Sequence, residues 1–175
     1  MAQGFTQVEG IDFDETFAPV AKLVSLHVIL VIVAEKDLEL HQMDVKSAYL
    51  NGTLKEEIFM SPPPGFDISD GMVFRLIKAI YGTKQGGCVW YENIKARLIS
   101  MVYHNTQANH AVFTRSANPH FSIIALYVDD ITMASTSLQE IKRDKALLCQ
   151  QYEMTDLGDL TWILGMHVMC DQTAS

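Results

Sequence analysis

Residues 123–135 read IIALYVDDITMAS: an apolar run, two adjacent carboxylates and a second apolar run. The pattern fits two strands folded back on each other, with Asp129 and Asp130 at the turn. "FSIIALYV", 121–128, carries apolar residues on both faces and is predicted to be a central strand. "ITMAS", 131–135, is predicted to pair back on it. Turn preference alone is enough to explain two aspartates here. Two details give them more weight. No glycine or asparagine is present to take up positive φ. The core-like flanks also draw the acids towards the protein body, where like charges repel and need a counter-charge. A divalent cation is one natural partner.

A second acid invites the same question. "LELHQMDV", 38–45, alternates like a strand and ends near Asp44. A strand-end or capping role is the ordinary explanation for such an acid. Asp44 lies far upstream of Asp129, so only a sheet with both strands side by side would join them. Aspartates meeting there would suit a pair of Mg²⁺ ions about 4 Å apart.

The rest of the chain supplies the frame. After the acidic lead-in "IDFDETFAP", 11–19, residues Leu23, Leu26, Leu30, Val33 and Ala34 mark one face of a helix. "NG" at 51–52 signals a turn, and "SPPPGF", 61–66, must be a loop. "MVFRLIK", 72–78, is predicted to be a strand. "YGTKQGG", 81–87, is a glycine-rich turn leading into a helix with Trp90, Ile94, Leu98 and Met101 on one stripe. Leu138, Ile141, Leu148 and Tyr152 mark a further helix. "DLGD", 156–159, reads as a turn and "TWILGMHVM", 161–169, as a last strand. Hairpins mixed with helices, without βαβ alternation, predict an α+β fold.

Composition bounds the function. The 175 residues suffice for one domain with a real core, and 49% are hydrophobic against 19% charged, which is globular. The longest apolar run, Val28–Ala34, is too short to span a bilayer, and the opening residues carry no secretory signal pattern. Cys88, Cys149 and Cys170 are too scattered for a disulfide framework or a CxxC metal site. The six histidines show no metal-ligand spacing. A net charge of −8 argues against nucleic-acid binding unless the acids have another use.

The turn at 81–87 carries some chemistry of its own. Glycine-rich turns at helix starts admit a phosphate or a close backbone approach, and Lys84 and Gln85 add a cation and an amide. A loop that simply needs flexible φ and ψ explains the glycines equally.

Taken together, these blocks resemble a known family. "YVDD", 127–130, resembles the catalytic hairpin of reverse transcriptases. "GFTQVEGIDFDETFAPVAKL", "LELHQMDVKSAYLNGTL", "SPPPGF", "IYGTKQ…WY", "LYVDDI" and "YEMTDLGDLTWILGM" are similar, in order, to blocks of the copia-type class of long-terminal-repeat retrotransposons. The resemblance spans nearly the whole chain.

It implies a right-hand polymerase palm, an antiparallel sheet backed by helices, with partial fingers and no thumb. Residues 1–175 would form one domain, truncated at both ends relative to the family polyprotein and lacking its ribonuclease H and integrase segments. Asp44, Asp129 and Asp130 match the catalytic acids. With the Val45 carbonyl they are expected to hold two Mg²⁺ ions, with Mn²⁺ as a substitute. Tyr49 matches the steric gate against a 2′-hydroxyl. Lys22, Lys84, Gln85 and Gly86 match nucleotide contacts. Trp162, Leu164, Gly165 and Met166 resemble the primer-grip hairpin. The implied partners are an RNA template, a DNA primer and dNTPs, with no membrane. The implied location is the cytoplasm, inside a virus-like particle in the intact element, with the nucleus as an alternative. Lys46, Lys84, Lys95 and Arg97 would offer a local basic track. Tyr49 and "YGTKQ" argue against another palm-type enzyme such as a cyclic-nucleotide synthase.

The sequence also departs from the family pattern. Gly87 replaces a usual proline, Cys88 and His27 replace usual arginines, Val102 a usual glycine and Asn109 a usual aspartate. Cys170 replaces a usual polar or charged residue. Several of these are changes that single cytosine deaminations produce. The alternative function is therefore a decayed remnant, weak or inactive, with at most weak nucleic-acid binding.

Overall fold

The computed structural model describes residues 2–66, 69 and 71–169. Its elements in chain order are α1 (Leu23–Lys36), β1 (Glu39–Val45), β2 (Thr53–Met60), β3 (Phe74–Lys78) and α2 (Gly86–Ser100). There follow β4 (His104–Asn105), β5 (Val112–Ala117), β6 (His120–Tyr127), β7 (Asp130–Ser135), α3 (Leu138–Cys149), β8 (Met154–Asp159), β9 (Trp162–Ile163) and β10 (Met166–His167). Short 3₁₀ turns occupy Gly4–Thr6 and Ala48–Asn51. Two compact units result: Met1–Ala18 with Ser47–Lys95, and Pro19–Lys46 with Ala96–Ser175.

The second unit is built on a six-stranded sheet in the order β4-β5-β6-β7-β1-β8. Every pairing in it is antiparallel. Helices and antiparallel strands in one chain make the α+β class expected from the sequence. The central placement of β6 follows from its composition: Ser122–Leu126 are all buried, so both faces must be covered. The core gathers Met43, Phe113, Ile124, Ile131, Ile141 and Leu148, all essentially inaccessible. Helix α3 packs against β1, β7 and β8.

A buried charge cluster also ties α3 to the sheet. Arg115 on β5 donates to Asp144 Oδ1 at 2.9 Å and Oδ2 at 2.8 Å, and to Glu140 Oε2 at 2.8 Å. Its guanidinium lies 4.5 Å from the ring centre of Tyr103, whose hydroxyl donates to Asp144 at 2.7 Å. Burial, followed by the Asp144 carboxylate, pushes the Tyr103 hydroxyl well above its ordinary pKa.

In the first unit β2 and β3 form an antiparallel pair. The 81–86 turn lies against the N-terminal segment. A Cβ on Gly4 would fall 2.0 Å from the Gly82 carbonyl oxygen, so only glycine fits there. Helix α2 starts at Gly86, within the 81–87 stretch expected to be a turn, and buries Trp90, Ile94 and Leu98.

Several sequence expectations need correction. The buried stripe of α1 is Leu26–Ile29–Val33, whereas Leu23 and Ala34 are exposed. The helix is apolar nearly all round, so periodicity could not fix which face turns inward. "DLGD" is not a chain reversal but part of β8, where the register skips from Gln42↔Gly158 to Met43↔Asp156. Leu157 is the extra residue of a bulge, and Gly158 takes φ 73° to make it. "TWILGMHVM" is not one strand but the β9–β10 hairpin. Leu164 and Gly165 at its two-residue turn both have positive φ, as a type I′ turn needs. Strands β2 and β5 carried no clear signal, because Lys55, Glu56, Glu57 and the buried Arg115 mask their alternation, and β4 is too short to show any. Cys170 lies outside the described residues. Among the described residues no helix is long and apolar enough to cross a membrane.

Candidate functional site

Strands β1 and β7 are neighbours, and their register sets Asp44 directly opposite Asp130. One step on, the Val45 amide donates to the Asp129 carbonyl at 2.9 Å. Hydrogen-bonded pairs alternate with non-bonded ones along an antiparallel ladder. Asp44 and Asp130 are therefore the non-bonded kind, whose side chains approach most closely. Like charges so placed destabilise a sheet unless something positive lies between them.

Asp129 sits on the turn that joins β6 to β7. Tyr127 pairs with Asp130, leaving Val128 and Asp129 as a two-residue loop. Val128 takes φ 55°. The sequence offers no glycine or asparagine here, yet the turn still requires the left-handed region. A β-branched residue held there is strained, by about 1–3 kcal/mol. All three acids are half-buried, and Oδ1 of Asp129 is fully buried. Gln42, two residues before Asp44, donates to Asp130 Oδ1 at 2.9 Å. Its part went unread in the sequence, where "HQMD" looked only like strand alternation.

The second unit thus brings Asp44, Val45, Asp129 and Asp130 together. Aspartate and carbonyl oxygens are the donors a hard cation such as Mg²⁺ prefers, so the donor set fits in kind. Among the described residues no three histidine, cysteine or carboxylate side chains already converge as a ligand cage.

Lys22, also in this unit, is the exposed residue that opens α1. On the β9–β10 hairpin Trp162 is exposed and lies against His167, with ring centres 4.8 Å apart. Leu164 and Gly165 form the tip, and Met166 Sδ lies 3.4 Å from His27 Nε2. Asn109 is buried and well satisfied: it donates to Ser25 Oγ and accepts from the Ala111 amide, both at 3.0 Å.

The first unit gathers Tyr49, Lys84, Gln85 and Gly86. Tyr49 stacks on Tyr81 with ring centres 4.3 Å apart. A Cβ on Gly86 would sit 3.0 Å from the Tyr49 ring. Gln85 is only 1% exposed, and both ends of its amide are engaged. Nε2 donates to the Asp12 carbonyl at 3.0 Å, and Oε1 accepts from Gln7 Nε2 at 3.1 Å. Gln7 Oε1 in turn accepts from the Lys84 amide at 2.8 Å. These bonds strap the N-terminal segment to the turn. Burial raises the Cys88 thiol pKa, and the carboxylates of Glu15, Glu92 and Glu56 add to the rise.

Three of the four cations noted above are engaged within the fold. Lys46 pairs with Glu153 at 2.8 Å, Lys95 with Glu92 at 3.0 Å, and Arg97 donates to the Leu147 carbonyl.

The family model described as "Reverse transcriptase (RNA-dependent DNA polymerase)" matches residues 1–175. The chain is 40% identical over 99% of its length to the Retrovirus-related Pol polyprotein from transposon TNT 1-94 of Nicotiana tabacum. It is 33% identical over 95% of its length to the corresponding polyprotein from transposon RE2 of Arabidopsis thaliana. A match at 38% covers 67% of the chain in the Ty1-GR3 Gag-Pol polyprotein of Saccharomyces cerevisiae. The chain spans only 13%, 12% and 7% of these relatives. No solved structure matches it. The chain belongs to the reverse transcriptase family, in the branch carried by the Pol polyproteins of copia-type retrotransposons.

Proposed function

We propose that this segment is the polymerase core of a copia-type element, joining dNTPs to a primer 3′-hydroxyl on an RNA or DNA template. The observation that carries the reading is the register of Asp44 against Asp130, with Asp129 on the adjoining two-residue turn. The six-stranded unit then serves as palm and the other unit as part of the fingers. Asp44, Asp129 and Asp130, with the Val45 carbonyl, would hold the cations. When bound there, Mg²⁺ or Mn²⁺ would supply activation of the 3′-hydroxyl and charge stabilisation on the departing pyrophosphate.

The remaining residues bind and orient. Tyr49 lies under the incoming sugar and excludes a 2′-hydroxyl. Lys22 and Lys84 meet the triphosphate, and Gly86 permits close backbone approach. Gln85 acts through the turn it braces. Trp162, Leu164, Gly165 and Met166 steady the primer end. The intact element would work in the cytoplasm, with the rest of the polyprotein supplying further functions. Carboxylates committed to metal account for part of the acidic balance.

The test is extension of oligo(dT) on poly(rA) by the purified chain with Mg²⁺ or Mn²⁺. Asp129→Asn should abolish extension while the protein stays folded. Extension by a folded Asp129→Asn protein would sink the assignment.

A second reading, a decayed copy, is favoured by Val102. This exposed valine takes φ 66° just past α2, where the family pattern has glycine. It bears the left-handed penalty, about 1–2 kcal/mol, and gains little burial in return. Cys88, with carboxylates around it, likewise stands where an arginine would find partners. On this reading Cys88→Arg combined with His27→Arg raises extension or solubility, and no change in either counts against it.

A further inference from the structure

The amide of Gln42 reaches into the acid cluster from a side chain that is neither an acid nor a cation. Gln42 and Asp44 are two apart on β1 and so share a face, and Asp130 lies across from Asp44. The bond from Gln42 Nε2 to Asp130 Oδ1, 2.9 Å, is thus the diagonal contact of an antiparallel pair. A second observation singles out the same residue. The bulge in β8 falls where the register leaves Gln42 for Met43. Bulges next to working sites re-aim side chains. The strand on one side of β1 carries its bulge opposite the residue whose amide reaches the acid on the other side.

We propose that Gln42 is a positioning residue that fixes Asp130 as a single-oxygen donor and so sets the cation preference towards Mg²⁺ over Ca²⁺. This rests on the metal-binding reading given above. The amide engages one carboxylate oxygen and leaves the other for an ion. A two-oxygen grip by Asp130 then has to compete with the amide for Oδ1. Mg²⁺ takes one oxygen from each carboxylate in a tight octahedron, whereas Ca²⁺ takes six to eight oxygens and readily accepts both from one carboxylate. The amide also places a positive dipole end beside two facing carboxylates, which lowers the cost of holding them together before an ion arrives. Outer partners of this kind typically change metal affinity by about 10–100-fold when removed.

The experiment follows the thermal unfolding midpoint of the whole chain, without nucleic acid, against Mg²⁺ and separately against Ca²⁺. Gln42→Met keeps length and bulk but removes the donor. Its Mg²⁺ affinity should fall about tenfold while its Ca²⁺ affinity holds or rises, so the preference narrows. Gln42→Asn, whose amide is too short for the same bond, should do likewise and serves if the methionine variant fails to fold. A preference unchanged in a folded variant, or an equal loss for both ions, overturns the inference while the metal-binding reading stands. A wild-type chain whose midpoint responds to neither ion overturns both.

Discussion

Asp44 and Asp130 face each other across β1 and β7 as a non-hydrogen-bonded pair, two like charges at the closest approach an antiparallel sheet allows. Without a cation this pair works against the fold, by about 0.2–1 kcal/mol. Asp130→Asn, measured in EDTA, should therefore raise the unfolding midpoint by about 1–3 °C. The same change should remove primer extension. A lower midpoint in EDTA would mean that the two carboxylates are already compensated within the protein.

Val102 offers a cleaner gain. Its side chain is exposed and its backbone is left-handed, so Val102→Gly relieves strain without opening a cavity. The Tyr103 amide caps the Leu98 carbonyl at 3.0 Å across this position, and glycine there leaves that bond intact. Urea denaturation should show a stabilisation of about 1 kcal/mol, with an unchanged m-value. Val102→Ala, which keeps a Cβ at the same φ, should recover less of it.

The Arg115 cluster should behave oppositely to the surface pairs. Asp144→Ala leaves a buried guanidinium without its bidentate partner and should cost about 3–5 kcal/mol in urea denaturation. Tyr103→Phe removes one hydrogen bond to the same carboxylate and should cost about 1 kcal/mol. Glu153→Ala, which breaks the exposed Lys46 pair, should be nearly silent. Similar losses for Asp144→Ala and Glu153→Ala would show that the cluster is not the brace it looks to be.

His41 gives the molecule a pH dependence with a definite sign. Burial first, then the ammonium of Lys145, holds its pKa below the usual 6.5, against the opposing pull of Asp159, Asp156 and Glu39. Lys145 Nζ lies 3.0 Å from His41 Nδ1 and also pairs with Asp156. The unfolded chain thus binds a proton at His41 before the folded one does. This stabilisation is full above pH 6.5 and is lost as pH falls through the lowered folded value. His41→Gln should flatten the fall in midpoint between about pH 7 and pH 5. Asp156, lowered first by its bond to Lys145, adds a separate loss below its usual 3.8. An unchanged slope in His41→Gln would assign the acid sensitivity to other groups.

Local patterns were enough for some elements and not for others. The β6–β7 hairpin was legible because two apolar runs meet at two acids, and α2 because Trp90, Ile94 and Leu98 repeat at helical spacing. Strand β5 escaped notice because Arg115, an apparent surface residue, is buried among Asp144, Glu140 and Tyr103 from distant parts of the chain. "DLGD" misled because a glycine with positive φ serves a bulge as readily as a turn. Gln85 looked like a ligand-facing amide, and the structure spends both its ends on Gln7 and Asp12.

The sequence alone determined the α+β class and the family and marked the three acids as candidates, since these depend on residue type and local spacing. It also marked Val102 as out of pattern, though not why that matters. Tertiary structure decided that Asp44 meets Asp130 in register, that Gln42 reaches across to hold that acid, and that Arg115 lies inside. Each of these depends on which strands become neighbours and in what register. That choice is made by burial over the whole sheet, because a one-residue slip would turn every buried side chain of a strand to the other face.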